Sequence, residues 1–153
     1  MEEKSAITEA IKKLVGIESK PVAFEVEKGW LKRHAEAIDD PNPLWQDEKS
    51  ARKSRYGTII AAPTFVAALR NQEWMEGLIN IDCPLKGVLN GGNEIEFYQP
   101  IRAGDTISIT YKLAEATEGS SKKGEMVFLN YEVNYKNQFD ELVAKGRNTL
   151  IRY

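Results

Sequence analysis

The chain contains very little cysteine or histidine. Among its 153 residues, Cys83 is the only cysteine and His34 the only histidine. One cysteine cannot form an internal disulfide, and the two residues together cannot supply the ligand set of a structural zinc site. The sequence therefore predicts a protein of a reducing compartment, and we expect neither a metal nor another cofactor.

The chain also lacks a strong excess of charge and long apolar runs. Its 21 Lys and Arg oppose 23 Asp and Glu, and a net charge of −2 argues against a nucleic-acid-backbone binder. No apolar run approaches the roughly 20 residues of a membrane-spanning helix, and the charged N-terminus has no signal-peptide pattern. We therefore expect one cytoplasmic domain over residues 1–153, without nucleic-acid or membrane binding.

The N-terminal half predicts one strand among several helices. Ser5 and Gly16 are the candidate start and stop of the first helix. In the second helix, Leu31, Ala35 and Ile38 are expected to face inward. The predicted elements of this half are, in order, a helix at 5–15, a half-buried strand at 21–29, a helix at 30–38, a short exposed helix at 47–55, and a central helix from Pro63 to about Gly77.

From residue 86 onward, alternating apolar and polar residues predict four strands. Turns are expected at 99–105, 117–124 and 136–141, and Gly91-Gly92 predicts a bulge rather than a phosphate-binding loop. This order indicates an α+β domain whose antiparallel sheet encloses the central helix. The side chains expected to line that sheet are Ile95, Phe97, Ile107, Ile109, Val127, Leu129 and Val133.

The densest group of polar side chains lies in the segment DDPNPLWQD at 39–47. A carboxylate such as Asp40, held on this stiff turn near apolar residues, could act as a base if its pKa were raised. The alternative is ordinary, because Asp and Asn before proline are common turn and cap residues. His34 is interpreted as a partly exposed helical residue on a different face from Asp40, and Cys83 as a small buried residue.

Four separated strings together resemble the MaoC-like dehydratase family, in particular its N-terminal-type branch of (3R)-hydroxyacyl-thioester dehydratase subunits. The resemblance spans about residues 17–153 and implies a hot-dog fold, in which a curved antiparallel sheet wraps a central helix. Residues 1–16 would form an additional N-terminal helix. The strings are DPNPLWQDE (40–48), RYGTIIAAPTF (55–65), EIEFYQPIRAGDTI (94–107) and ELVAKGRNTLIR (141–152).

The resemblance assigns site roles but also shows two departures from the family pattern. Asp40 matches the catalytic Asp of the family's Asp-x-Asn-Pro-x-His loop, and Asn42 matches a supporting position. Trp45 replaces the His, and an indole cannot exchange a proton near neutral pH. Pro63 stands where a glycine amide would hold the thioester oxyanion, and proline has no N–H. The candidate substrate-binding residues, which could alternatively be core aromatics in part, are Trp45, Tyr56, Pro63, Thr64, Phe65 and Trp74.

These departures imply the catalytically silent, acyl-channel half of an enoyl-thioester hydratase or (3R)-hydroxyacyl-thioester dehydratase of fatty-acid metabolism. The expected ligand is an acyl-CoA or acyl-carrier-protein thioester. The expected partner is a second copy or another hot-dog subunit that carries the Asp and His. Two alternatives remain open at this point, namely a homodimeric MaoC-like lyase active through Asp40 and a non-enzymatic acyl-thioester-binding protein.

Overall fold

A five-stranded antiparallel sheet in the order β1-β3-β4-β5-β2 organises the computed structural model, which describes residues 5–153. The strands are β1 (Val22–Glu25), β2 (Val88–Phe97), β3 (Thr106–Ser121), β4 (Gly124–Lys136) and β5 (Leu142–Arg152). The helices are α1 (Glu9–Leu14), α2 (Lys28–Ala37), α3 (Pro43–Gln46), α4 (Glu48–Lys53) and α5 (Gln72–Ile79), with a 3₁₀ helix at Pro63–Ala68. Among the described residues, no helix is long and apolar enough to cross a bilayer.

The predicted succession along the chain, with one strand and several helices before four strands, is confirmed, and the alternation of side chains explains the strands. On β3, Ile107 and Ile109 are fully buried, and Val133 of β4, which lies opposite Tyr111, is buried with them. These residues pack with Phe65 of the 3₁₀ helix in the larger of two buried clusters. The predicted bulge at Gly91-Gly92 is also present, since the pairing of β2 with β5 shifts register between residues 90 and 92.

The predicted central helix is wrong in its continuity, because residues 69–71 interrupt it. The segment from Pro63 winds as a 3₁₀ helix, in which Phe65 and Val66 are buried while Ala68 is exposed. The Asn71 side chain accepts a hydrogen bond from the backbone N–H of Trp74 at 3.1 Å and begins α5 as a separate helix. Two short helices therefore stand where one was expected.

The boundaries of the predicted N-terminal helix also need correction. Thr8, and not Ser5, caps α1, because its hydroxyl accepts from the backbone N–H of Ile11. Ser5 instead donates to the Glu118 carboxylate at 2.6 Å. Residues 1–4 of the predicted 1–16 segment lie outside the described residues. In α2, Ile38 faces outward with 43% exposure, because the helix ends at Ala37.

Three further expectations about the sheet are corrected. The turn expected at 117–124 is shorter, because β3 continues to Ser121 and β4 begins at Gly124. Phe97 is 47% exposed, since β2 is an edge strand whose other side has no neighbouring strand within residues 5–153. Val127 and Leu129 are buried in the second cluster, with Ile11 of α1, rather than around the 3₁₀ helix.

Arg152 of β5 joins the sheet to the end of α5. Its side chain is 3% exposed, and its guanidinium donates one hydrogen bond to the Ile79 carbonyl. Two further N–H groups of the guanidinium donate to the Leu85 carbonyl, at 2.7 and 3.1 Å. Ile79 is the last residue of α5, where carbonyls lack helical partners and a positive charge is favourable. One buried cation therefore satisfies the helix end and the segment that leads into β2.

Arg152→Met should lower the free energy of unfolding by about 3 kcal/mol, because buried carbonyls would lose charge-assisted hydrogen bonds. Urea unfolding followed by circular dichroism measures this change. Arg147→Met is the matched control on the same strand, since Arg147 contacts Glu94 at the surface. Its effect should stay within about 0.5 kcal/mol, and equal losses in the two variants would contradict the assigned role of Arg152.

Candidate functional site

The loop that carries Asp40 is held by its own side chains. An Asp40 carboxylate oxygen accepts from the backbone N–H of Asn42 at 3.1 Å, and the Asn42 side chain accepts from that of Leu44 at 3.0 Å. Asn42 thereby caps α3, whose first residue is Pro43. The Gln46 amide donates to the Asp40 carbonyl. The stiff turn expected from the sequence is present, and Asp40 is half-buried within it.

Backbone hydrogen bonds fix this loop against the segment that precedes the 3₁₀ helix. The Leu44 carbonyl accepts from Ile60 N–H at 3.2 Å. On its other side, this segment donates from Ala61 N–H to the Ile101 carbonyl at 2.8 Å. Since the segment ends at Pro63, these bonds bring Pro63 and Trp45 to the lining of one depression.

That depression is a pocket of about 380 Å³, and we call it the Trp45 pocket. Trp45, Tyr56 and Pro63, three of the predicted substrate-binding residues, line it together. Its wall contains no Asp, Glu, His or Cys among the described residues. The Trp45 pocket can therefore enclose an apolar group, but it offers no side chain that exchanges protons easily near neutral pH.

Polar groups at the rim of the Trp45 pocket have limited chemical capacity. A hydrogen bond to Glu96 raises the pKa of the exposed Tyr98 phenol, so this lining residue stays protonated at neutral pH. Arg55 lies over the Tyr56 ring, with its guanidinium carbon 4.8 Å from the ring centroid. The Trp45 indole N–H is buried and has no hydrogen-bond partner among the described residues, an arrangement that costs about 1–3 kcal/mol.

The other predicted site residues lie elsewhere. Asp40 does not line the Trp45 pocket. Phe65 is fully buried on the opposite side of the 3₁₀ helix, with its ring edge-on to Trp30 at 4.9 Å. Trp74 lies against Tyr111 at 4.7 Å between ring centroids. Thr64 is exposed beside His34. Phe65 belongs to the buried core cluster, and the half-buried Trp74 packs against that cluster.

Sequence reasoning missed the position of His34. Its Nε2 atom lies 3.0 Å from the Thr64 hydroxyl oxygen, and its ring is edge-on to Phe65 at 5.5 Å. The two hydrogen-bonded residues are 30 positions apart, so no local pattern could have paired them. The packing of α2 on the 3₁₀ helix places an imidazole next to the segment where the family's oxyanion string aligns.

Comparison with known proteins places this geometry in a family. A family model described as FAS1-like, dehydratase domain region, matches residues 13–146. A UPF0336 protein of Streptomyces avermitilis is 32% identical over 91 residues, which are 57% of this chain and 59% of that protein. A probable enoyl-CoA hydratase alpha subunit of Thermomonospora curvata is 28% identical over 148 residues, which are 87% of this chain but 45% of that protein.

Solved structures confirm the predicted fold class. The MaoC-like dehydratase from Rhodospirillum rubrum matches with a TM-score of 0.69 and 26% identity, over 91% of this chain and 92% of that one. The ChsH1-ChsH2 complex from Mycobacterium tuberculosis matches with a TM-score of 0.80 and 22% identity, over 95% of this chain and 94% of that one. The truncated HadBC (3R-hydroxyacyl-ACP dehydratase) complex from the same organism matches with a TM-score of 0.76 and 20% identity, over 90% of this chain and 96% of that one. The chain has the hot-dog fold expected from its sequence.

Removal of the Asn42 cap should loosen the Asp40 loop. Asn42→Ala deletes the acceptor for Leu44 N–H, and the free energy of unfolding should fall by about 1 kcal/mol. Asn42→Asp keeps an oxygen at the same place and should unfold close to the parent. Denaturant titration of the three proteins measures both effects, and a destabilised Asn42→Asp with an unchanged Asn42→Ala would contradict the capping role.

Proposed function

We propose a function for this chain, which belongs to the family of FAS1-like dehydratase domain regions. It is a subunit of an enoyl-thioester hydratase or (3R)-hydroxyacyl-thioester dehydratase. In this proposal it is the catalytically silent half. It shapes the acyl channel, while a partner hot-dog subunit supplies the Asp and His that move protons. The ligand is an acyl-CoA or acyl-carrier-protein thioester.

The observation that carries this proposal is the composition of the Trp45 pocket. Trp45 and Pro63 occupy the two positions at which the family pattern has a proton-transfer group and an amide donor, and both line this pocket. An indole is not an acid or base at neutral pH, and proline cannot donate a hydrogen bond from its backbone. Loss of both groups at one place favours a binding role over catalysis by this chain alone.

The free edge of the sheet supports a partner subunit. Among the described residues, β2 pairs only with β5, and nine of its ten residues are exposed. Leu89 is 52% exposed and Phe97 47%. An unpaired edge with exposed apolar side chains favours pairing with another chain. The similar ChsH1-ChsH2 and HadBC proteins were each solved as complexes.

A second candidate is a homodimeric lyase that is active through Asp40 with another proton donor. The contact of His34 with Thr64 favours this alternative, because it places the chain's imidazole beside the aligned oxyanion segment. Histidine is the side chain that enzymes use most often for general acid–base catalysis. The Trp45 pocket favours the silent subunit instead, since neither Asp40 nor His34 lines it.

The pure protein should bind saturated acyl-CoA in calorimetry yet hydrate enoyl-CoA at least about 10²-fold more slowly than an Asp/His-bearing hydratase, because general acid–base groups contribute that much. Hydration is followed by loss of the enoyl absorbance. Activity should appear when the chain is co-purified with a hot-dog subunit that carries Asp-x-Asn-Pro-x-His.

Variants separate the candidates. Rapid turnover by the pure protein that is lost in both Asp40→Asn and His34→Ala would support the homodimeric lyase and contradict the silent subunit. Binding without turnover, even with the partner present, would favour a non-enzymatic acyl-thioester-binding protein. Lys13→Ala, on the exposed surface of α1, is the control that should change neither property.

The exposed edge also predicts association. Light scattering of the pure protein at micromolar concentration should give a dimer or larger, because β2 can pair with a second copy. Leu89→Lys places a charge on that edge and should shift the population toward monomer. Lys53→Glu, on α4, changes charge far from β2 in the sequence and serves as control. A monomeric parent would contradict self-pairing.

A further inference from the structure

The interruption at residues 69–71 leaves a second cavity of about 380 Å³ on the concave face of the sheet, which we call the tyrosine cavity. Arg70, at the interruption itself, lines it together with Tyr111, Tyr131 and Tyr135 of the sheet. Val66 of the 3₁₀ helix lines both this cavity and the Trp45 pocket. The two spaces are therefore neighbours on either side of one side chain.

Strand register produces a polar row across the concave face. Tyr131 of β4 lies opposite Asn148 of β5, which lies opposite Asn93 of the edge strand β2. All three residues line the tyrosine cavity. The concave face of a sheet that packs against helices is ordinarily apolar. Here a line of hydrogen-bonding groups runs from the middle of that face to its free edge.

The tyrosines are held rigidly and remain protonated. Tyr111 and Tyr135 are 4% and 5% exposed, and Trp74 packs against the Tyr111 and Tyr131 rings at 4.7 and 5.4 Å. Burial raises the pKa of all three phenols, and the charge of Arg70 opposes this rise only in part. Each phenol is therefore a fixed hydrogen-bond donor at neutral pH, beside a positive charge.

Such a wall is poorly suited to a plain hydrocarbon chain. Burying hydroxyl and amide groups against hydrocarbon leaves them without partners, and each unpaired group weakens binding by about 5- to 100-fold. An oxygen atom on the ligand would instead accept hydrogen bonds from the phenols. The cavity is large enough for part of an acyl group but not for a complete acyl-CoA.

We propose that the tyrosine cavity receives the distal end of the acyl group and selects an acyl group that carries a ketone or hydroxyl oxygen at that end over one whose distal end is plain hydrocarbon. This inference rests on the proposed function, because it takes the acyl thioester as the ligand. It adds the class of acyl group. Tyr131 and Tyr135 are specificity-determining residues in this proposal.

The test compares decanoyl-CoA with decanoyl-CoA that carries a ketone or hydroxyl near the distal end, by titration calorimetry on the full chain, alone and with its partner subunit. The parent should bind one of the oxygenated ligands about tenfold or more tightly than the plain one. The double variant Tyr131→Phe/Tyr135→Phe should lose this preference while it keeps or improves its affinity for plain decanoyl-CoA, because only hydroxyls are removed.

Controls separate the inference from the proposed function. Tyr153→Phe, at an exposed tyrosine outside the cavity, should keep the preference. Asn148→Leu, in the polar row, should weaken it independently, which covers failure of the double variant to fold. Equal binding of plain and oxygenated ligands by the parent, or a preference that survives in the double variant, overturns the inference alone. Failure to bind any acyl-CoA, alone or with a partner, overturns both proposals.

Discussion

The interruption of the helix at residues 69–71 is the constraint on which the interior depends. Asn71 uses its side chain to begin α5, and Leu69 is buried at the end of the 3₁₀ helix. A continuous helix would fill the groove of the curved sheet from end to end. Because the helix is divided, the groove keeps a space over the tyrosines, and Arg70 is left at its rim. Helix geometry, more than any single side chain, thus decides what the concave face can hold.

Much of the sheet could be predicted from the sequence, because alternation of residues such as Ile107 and Ile109 reports directly on which face is buried. The interruption could not be predicted in the same way. A segment of six residues such as Pro63–Ala68 is too short for its apolar pattern to distinguish 3.0 from 3.6 residues per turn. The alternation that places Val133 on the inner face extends to Tyr131 and Tyr135, but it could not indicate that part of that face lacks a covering helix.

The candidate site was predictable in its loop and only partly in its pocket. The proline-rich string fixed the Asp40 turn through local hydrogen bonds, which sequence describes well. The proximity of Trp45 to Pro63 came from the resemblance, and the structure places both on the Trp45 pocket. His34 and Thr64 meet only through tertiary packing of α2, so neither propensity nor spacing carries that information. The described residues that line this pocket include no acid–base group, and this observation and the uncovered edge at β2 both support the proposed role as a subunit.

The position of β5 in the sheet has a consequence for how the chain folds. β5 lies between β4 and β2, although β2 comes earlier in the sequence than β3, β4 and β5. Consequently β2 has no strand to join until Leu142–Arg152 has docked, and their pairing closes a long loop that slows folding. Until that moment both edges of β2, with Leu89 and Phe97, are open to other chains. While the chain folds, pairing of β2 with β5 therefore competes with pairing of β2 with another chain.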